Sequence, residues 1–379
     1  MSKLQWLWLP VIVIGVVTCR AQEPRTGSTA HHEDKSITGA APSASQGVPI
    51  PGWKPDPEIE ITRTFAGKKR TFTINPNHEG GEPSNAVWEQ EVSRGEHEAF
   101  DRILQLSPTV LCYEEVPGEV AEDFHHISQP VRLEFMDNNF RTVKEVDIWK
   151  SRPYQDMGGV KVTYWDFNAE EMDVLPYKEQ NPRRAPTEYT LFTSVRSEGS
   201  HVIVNYELRG MDEGEIVSVT HTLRIYDLSG MLKYELKDLS SVDGAVVSND
   251  GRYMMYTFGG SIGTVNSPFA TMEREGWALM RLADRKIVYK EYTDDGRLAF
   301  NRIWMEQGYL RLSYSTPSEK IDYDYWIFFD CNEQSLYKHF LTDNERVSLT
   351  NDDALYKASN WIKYVISKFD LEAIPILTK

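Results

Sequence analysis

Gly259-Gly260-Ser261-Ile262-Gly263 has the Gly-x-Ser-x-Gly spacing that lifts a nucleophilic serine onto a sharp turn, and a strand-like run from Tyr253 to Phe258 precedes it. A nucleophile elbow also needs a helix behind the serine. The following Thr264-Val265-Asn266-Ser267-Pro268 is β-branched and ends on proline, so the segment reads as a glycine-rich loop between strands. His97 and Asp101 are spaced so that, on a helix, both would face one metal ion, but the second histidine of His-Glu-x-x-His is missing. Adjacent His125 and His126 point to opposite sides of any strand, and His31 and His32 fall in a segment poor in apolar residues. Asp250 and Asp295, each beside a glycine, lack the run of oxygen ligands of a calcium loop and read as turn residues. No metal and no cofactor is expected.

Aromatics supply a different chemistry. Asp322-Tyr323-Asp324-Tyr325-Trp326 alternates acids with rings in a chain holding 10 Trp and 19 Tyr. Rings on a rigid rim stack on sugars or anchor a protein partner, and they also fill β cores. Core and cross-strand filling is the leading reading of these rings; the five residues are also the candidate surface contact, with a protein or glycan as the expected partner.

Three cysteines bear on location. The chain opens Met-Ser-Lys and runs through an apolar stretch, Leu4 to Thr18, that is short for a spanning helix and suits an export signal. Val16-Val17-Thr18-Cys19 resembles a bacterial lipobox, with Thr18 and Val16 departing from its usual residues. That resemblance implies a lipid on Cys19, and ordinary cleavage after Ala21 is the alternative. With Cys19 lipidated, Cys112 and Cys331 remain, either as a disulfide closing a long loop or as two buried thiols. No Asn-x-Ser/Thr sequon with an allowed middle residue is present, which suits a bacterial envelope. The expected address is the cell envelope, as a periplasmic or outer-membrane lipoprotein, with secretion as the alternative. A formal charge of −16 opposes binding to nucleic acid or anionic lipid, so contact with a membrane is expected only through the N-terminal lipid.

The elements that must position any site are strands. Residues 19–57 carry six prolines (Pro24, Pro42, Pro49, Pro51, Pro55, Pro57) among Ser, Thr, Gly and Ala and read as a disordered tether behind the 1–18 signal. From there the recurrent period is two: Val217, Val219, Leu223 and Ile225 oppose Ser218, Thr220, Thr222 and Arg224. A turn glycine followed by an apolar strand recurs at Gly199, Gly251 and Gly308. A hairpin ending in tyrosine recurs at Tyr234, Tyr289 and Tyr337, so units of about 50 residues alternate in constant order.

Ser248-Asn249-Asp250-Gly251-Arg252-Tyr253 resembles the strand-turn-strand signature of TolB-like bacterial β-propeller blades, and Tyr226-Asp227-Leu228-Ser229-Gly230 resembles a blade's outer hairpin. The likeness covers residues 190 to 345. It implies a β-propeller-like repeat of antiparallel sheets over 58–350, about six blades, with a β-sandwich as the alternative. Residues 84–106 carry a weak helical pattern. Over 351–379, Leu355, Ala358, Ile362, Val365, Ile366 and Phe369 fall at helical spacing, which predicts one closing amphipathic helix capped by Asn351 or Asp352. The function expected from all this is an envelope binding or assembly module, the alternative being a secreted propeller enzyme acting on glycan or peptide.

Overall fold

The computed structural model describes residues 57–78, 85–94, 97–115, 129–154, 162–164, 187–212, 215–239, 242, 244–258, 276–292, 299–315 and 324–376. By internal contacts the chain divides into Met1–Pro42 and Ser43–Lys379, and all described residues belong to the second unit. The export signal, Cys19, most of the tether, the Gly259–Gly263 motif, His31, His32, His125, His126, Asp295, Asp322 and Tyr323 lie outside the described residues.

The described chain is mostly β and runs as a series of antiparallel meanders. A hairpin of β1 (Ile59–Phe65) and β2 (Lys68–Ile74) comes first. The first sheet follows in the order β3 (Asn85–Arg94), β4 (His97–Ser107), β5 (Val110–Glu115), β6 (Gln129–Met136), β7 (Thr142–Asp147). The second comprises β8 (Val162–Tyr164), β9 (Glu188–Glu198), β10 (His201–Asp212), β11 (Glu215–Asp227) and β12 (Leu232–Leu239), with β8 parallel to β9. The third is β13 (Gly244–Val247), β14 (Tyr253–Phe258), β15 (Gly276–Arg281) and β16 (Lys286–Tyr292). In the fourth, β17 (Ala299–Glu306), β18 (Tyr309–Ser315), β19 (Asp324–Asp330) and β20 (Ser335–Leu341) are joined at the far edge by β21 (Ile374–Pro375).

Each sheet repeats one turn chemistry. In the turns β6–β7, β11–β12, β15–β16 and β19–β20 an aspartate, Asp137, Asp227, Asp284 or Asp330 respectively, accepts backbone N–H groups of the turn. A residue of the same turn is left-handed: Phe140 (φ 58°), Gly230 (φ 77°), Arg285 (φ 57°) and Gln334 (φ 54°). The aspartate offsets part of the cost of that conformation by satisfying the turn's donors. The first sheet is therefore a fourth copy of a unit that the sequence shows only three times.

Why the strands are apolar on both faces follows from the layering. In β14, all of it buried, Tyr253 and Met255 enter the core shared with the fourth sheet, while Met254, Tyr256 and Phe258 enter the core shared with the second. Val202, Val204 and Tyr206 of β10 likewise face the first sheet and Ile203 faces the third. The period of two thus feeds two cores at once. Four face-packed sheets exceed the two layers of a sandwich.

The two end faces have their own covers. Phe65 of the hairpin packs on Trp88 and Tyr113 of the first sheet, with ring centroids 5.8 and 5.2 Å apart. On the outward face of the fourth sheet, Trp326 and Phe328 meet Trp361 at 5.7 and 5.9 Å.

One ambiguity is resolved and one expectation corrected. Within 84–106, residues 85–94 and 97–106 pair as strands β3 and β4, with Leu104 and Leu106 on one side and Ile103 on the other all buried as a strand between layers requires. The closing segment holds three short helices, α1 (Asp343–Thr350), α2 (Asp353–Lys357) and α3 (Trp361–Lys368). Thr342 and Glu345 form a capping box on α1, Asp352 caps α2, and Asn360 starts α3 afresh by accepting from the Lys363 N–H.

Candidate functional site

Four polar clusters sit in or between these sheets, and the fate of their hydrogen-bonding groups separates framework from site. Glu134 on β6 has no exposure, yet its carboxylate accepts from Arg63 Nε at 2.6 Å, from Thr142 Oγ1 at 2.6 Å and from the Tyr113 hydroxyl. Burial, and then the Glu134 charge, hold the Tyr113 phenol far above its usual pKa. Arg63 also donates to the Phe140 carbonyl at 2.7 Å, so the cluster clamps the hairpin onto the left-handed turn of the first sheet.

His201, at the start of β10, is buried beside the β13–β14 turn. Ser200 Oγ lies 3.0 Å from its Nδ1, an arrangement that resembles a nucleophile and its base. The serine proton is already used, because Oγ donates to the Asn249 carbonyl at 2.7 Å, so the imidazole Nδ1–H points at the serine oxygen. Burial, the largest influence, lowers the histidine pKa. The group joins the second and third sheets.

Arg311 of β18 is 4% exposed and stands in a cage of its own chain's rings: Trp304 at 4.2 Å, Trp361 at 4.4 Å, Trp326 at 5.2 Å and Phe328 at 5.7 Å. Glu306 balances the charge at 3.1 Å and also accepts from the indoles of Trp304 and Trp361 at 2.9 and 2.7 Å. Such a cage suits a cation ligand, and here the protein's own guanidinium fills it. It fastens α3 to the fourth sheet.

The fourth cluster reaches the surface, at the seam between the third and fourth sheets. On β16, Tyr289 and Glu291 share a face, and Glu291 stands opposite Trp277 of β15. On β20, Leu336, Lys338 and Phe340 share the face turned to them. Lys338 Nζ donates to Glu291 Oε2 at 2.9 Å and to the Tyr289 hydroxyl at 3.1 Å. Tyr325 completes the link with its hydroxyl 3.4 Å from Glu291 Oε1. Burial alone would lower the Lys338 pKa, but the bonds to Tyr289 and Glu291 outweigh it and hold the ammonium well above the ordinary lysine value. Below, Tyr289 stacks on Trp277, centroids 5.0 Å apart, and the buried Trp277 Nε1 has no hydrogen-bond partner among the described residues. Above, the Phe340 ring lies flat on Tyr325 at 3.9 Å and 16° and is 57% exposed.

The expected surface set fares unevenly against this geometry. Tyr325 and Trp326 are buried at 3% and 6% exposure, one under Phe340 and the other under α3, so they support a surface without forming it. Backbone pairing places Asp324 opposite Leu341. Phe340, the exposed ring, was missed: a single phenylalanine in Tyr337-Lys338-His339-Phe340 carries no sequence signal, and only the cross-strand partner Tyr325 reveals it. Cys112 and Cys331 are free, buried thiols and lie in separate cores. Burial raises both, with Cys331 pushed up to about 12. His97 and Asp101 lie on strand β4, where a spacing of four separates them by more than a metal ion spans. Among the described residues no group of three or more metal-ligating side chains occurs.

Comparison with known proteins adds little. No family model matches the chain, and no curated protein does. Among solved structures, a Kuenenia stuttgartiensis hydrazine synthase aligns over 80% of this chain and 90% of its own at 10% identity, with a TM-score of 0.24, a likeness too slight to bear on fold or activity.

Proposed function

We propose that the protein is an exported, lipid-anchored envelope protein whose body is a binding module, with the seam around Phe340 as its contact surface. The observation that carries this is the Phe340 ring: locked on Tyr325, 57% exposed, and flanked by a hydrogen-bonded carboxylate and ammonium. A fixed ring offers contact area without the entropic cost of ordering it on binding. The three other clusters spend their donors and acceptors inside the framework, which favours binding over catalysis. On this reading the four sheets are propeller-type blades whose end faces are covered by the hairpin and by α3, and Cys19 carries the lipid.

Hydroxyl-radical footprinting tests the surface without presuming a ligand. The peptide carrying Phe340 should be oxidised less in intact envelopes than in the purified protein, while Val347, exposed on α1, should not change. Equal oxidation of Phe340 in both preparations refutes the reading. For the anchor, Cys19→Ala should move the protein from the detergent to the aqueous phase.

A second reading, a secreted enzyme acting on glycan or peptide, draws on Glu114. Burial raises this carboxyl to about 7 and the Arg102 charge opposes that shift, which suits a general acid or base. Glu114→Gln abolishing hydrolysis of a polysaccharide or peptide substrate would favour it.

A further inference from the structure

We infer that the seam is a carbohydrate subsite, taking the face of a neutral hexopyranose on Phe340 and its hydroxyls on Glu291 and Lys338; this rests on the binding-module reading and names its ligand. Three features of the seam select that chemistry. The first is the ring. One face of Phe340 is against Tyr325 and the other is open, so the available surface is the electron-rich π face, which attracts the C–H edge of a sugar ring.

Charge is the second feature. Glu291 and Lys338 neutralise each other at 2.9 Å, leaving no net charge to hold an anion or a cation, and a chain of charge −16 repels polyanions at longer range. An uncharged ligand fits the local balance.

The third feature is unused hydrogen-bonding capacity. Lys338 spends two of its three ammonium hydrogens on Tyr289 and Glu291. Glu291 Oε1 accepts only a long contact, 3.4 Å from Tyr325, and keeps lone-pair capacity. A vicinal diol can donate to the carboxylate and accept from the ammonium together, so it satisfies both. An apolar peptide side chain on Phe340 would instead cover this pair and strip its water without replacing those bonds. Spacing agrees: Lys338 and Phe340, two apart on one strand face, stand about 7 Å apart along the strand, a distance a pyranose and its exocyclic hydroxyls bridge. Beneath them the Trp277 ring, whose Nε1 has no partner among the described residues, stacks on Tyr289, whose hydroxyl belongs to the same network.

The test is titration of the full mature chain with cellohexaose, laminarihexaose and mannohexaose, followed by tryptophan fluorescence and calorimetry. At least one should bind with enthalpy-driven, salt-independent affinity. Phe340→Leu, which keeps apolar cover over Tyr325 but removes the π face, should weaken it at least about 10-fold, Phe340→Trp should retain it, and Lys338→Met should weaken it at least about 5-fold. Any of three results overturns the inference: no binding of these sugars up to about 10 mM, binding undiminished by Phe340→Leu, or affinity confined to an acidic polysaccharide. Envelope protection of Phe340 without sugar binding would sink the ligand class and leave the binding module standing, whereas loss of both would sink both.

Discussion

Replacing Arg63 by alanine should cost about 3 kcal/mol of stability and release the N-terminal hairpin before the sheets melt. The magnitude comes from the partner left behind. Glu134 has no solvent exposure, and Arg63, whose side chain is 18% exposed, is its ion-pair partner at 2.6 Å. Breaking a buried pair by removing one member costs about 3–5 kcal/mol, because the other charge stays buried. Tyr113 and Thr142 still donate to the carboxylate, which sets the expectation at the low end. Lost with the guanidinium are its bond to the Phe140 carbonyl and its hold on that left-handed turn. Urea denaturation of Arg63→Ala, Glu134→Gln and the double variant gives the coupling, and limited proteolysis at the Ala66-Gly67 turn reports release of the hairpin. The double variant should be more stable than Arg63→Ala alone, since a neutral amide replaces the orphaned charge. An Arg63→Ala protein within about 0.5 kcal/mol of the parent, with an uncut hairpin, would show that the buried carboxylate does not depend on this cation and refute the reasoning.

Other expectations follow from single contacts. Alanine at Gly230 should destabilise more than alanine at Gly308. Both are left-handed, at φ 77° and 88°, but a Cβ at Gly230 would stand 2.7 Å from the Phe135 ring, whereas at Gly308 the nearest atom is 3.9 Å away; denaturation midpoints should rank them so, with Gly308→Ala near the conformational cost of about 1–2 kcal/mol. Glu114 has a folded pKa of about 7 against 4.5 for the free carboxyl, so the folded state binds the extra proton between those values and this group's contribution to stability falls as pH rises across that window. Glu114→Gln should therefore gain on the parent protein at pH 8 relative to pH 5, and a constant difference would contradict the burial of that carboxyl. Cys112 and Cys331 should resist a thiol reagent in the native protein and react together on unfolding.

What the sequence made legible was the unit: strand, turn and hairpin recur with a visible glycine at 199, 251 and 308. The first sheet escaped because its copy lacks those marks. Pro108-Thr109 replaces the first turn's glycine, and the left-handed place held by Gly230 in the second sheet is Phe140, a residue that signals no turn. Asp137 gives the equivalence away only once its carboxylate is seen capping the turn. Helical periodicity left 84–106 ambiguous because a strand apolar on both faces satisfies almost any spacing. In the closing segment it found the buried Ile362 and Val365 but merged α2 with α3, since the break depends on Asn360 capping α3. As for the candidate site, the aromatic-acidic run ends on β19, where Tyr325 and Trp326 are buried; the ring exposed over Tyr325 is Phe340, fifteen residues on.

Each sheet buries apolar residues on both faces, so the chain needs two more covers than sheets alone provide, and it supplies them from its two ends. The hairpin is fastened by a buried ion pair, Arg63 with Glu134, whose carboxylate also accepts from the Tyr113 hydroxyl, and α3 by another, Arg311 with Glu306, wrapped in aromatic rings. Apolar packing alone would let a short hairpin or an eight-residue helix slide over a flat sheet, whereas a charge that finds a partner at one place sets the register. The same pairing of carboxylate, cation and ring recurs at the seam of the third and fourth sheets, with Glu291, Lys338 and Tyr325. There no further element covers the group among the described residues, and Phe340 is 57% exposed. At the two ends the motif is closed by the protein's own chain, and at the seam the proposed sugar would close it.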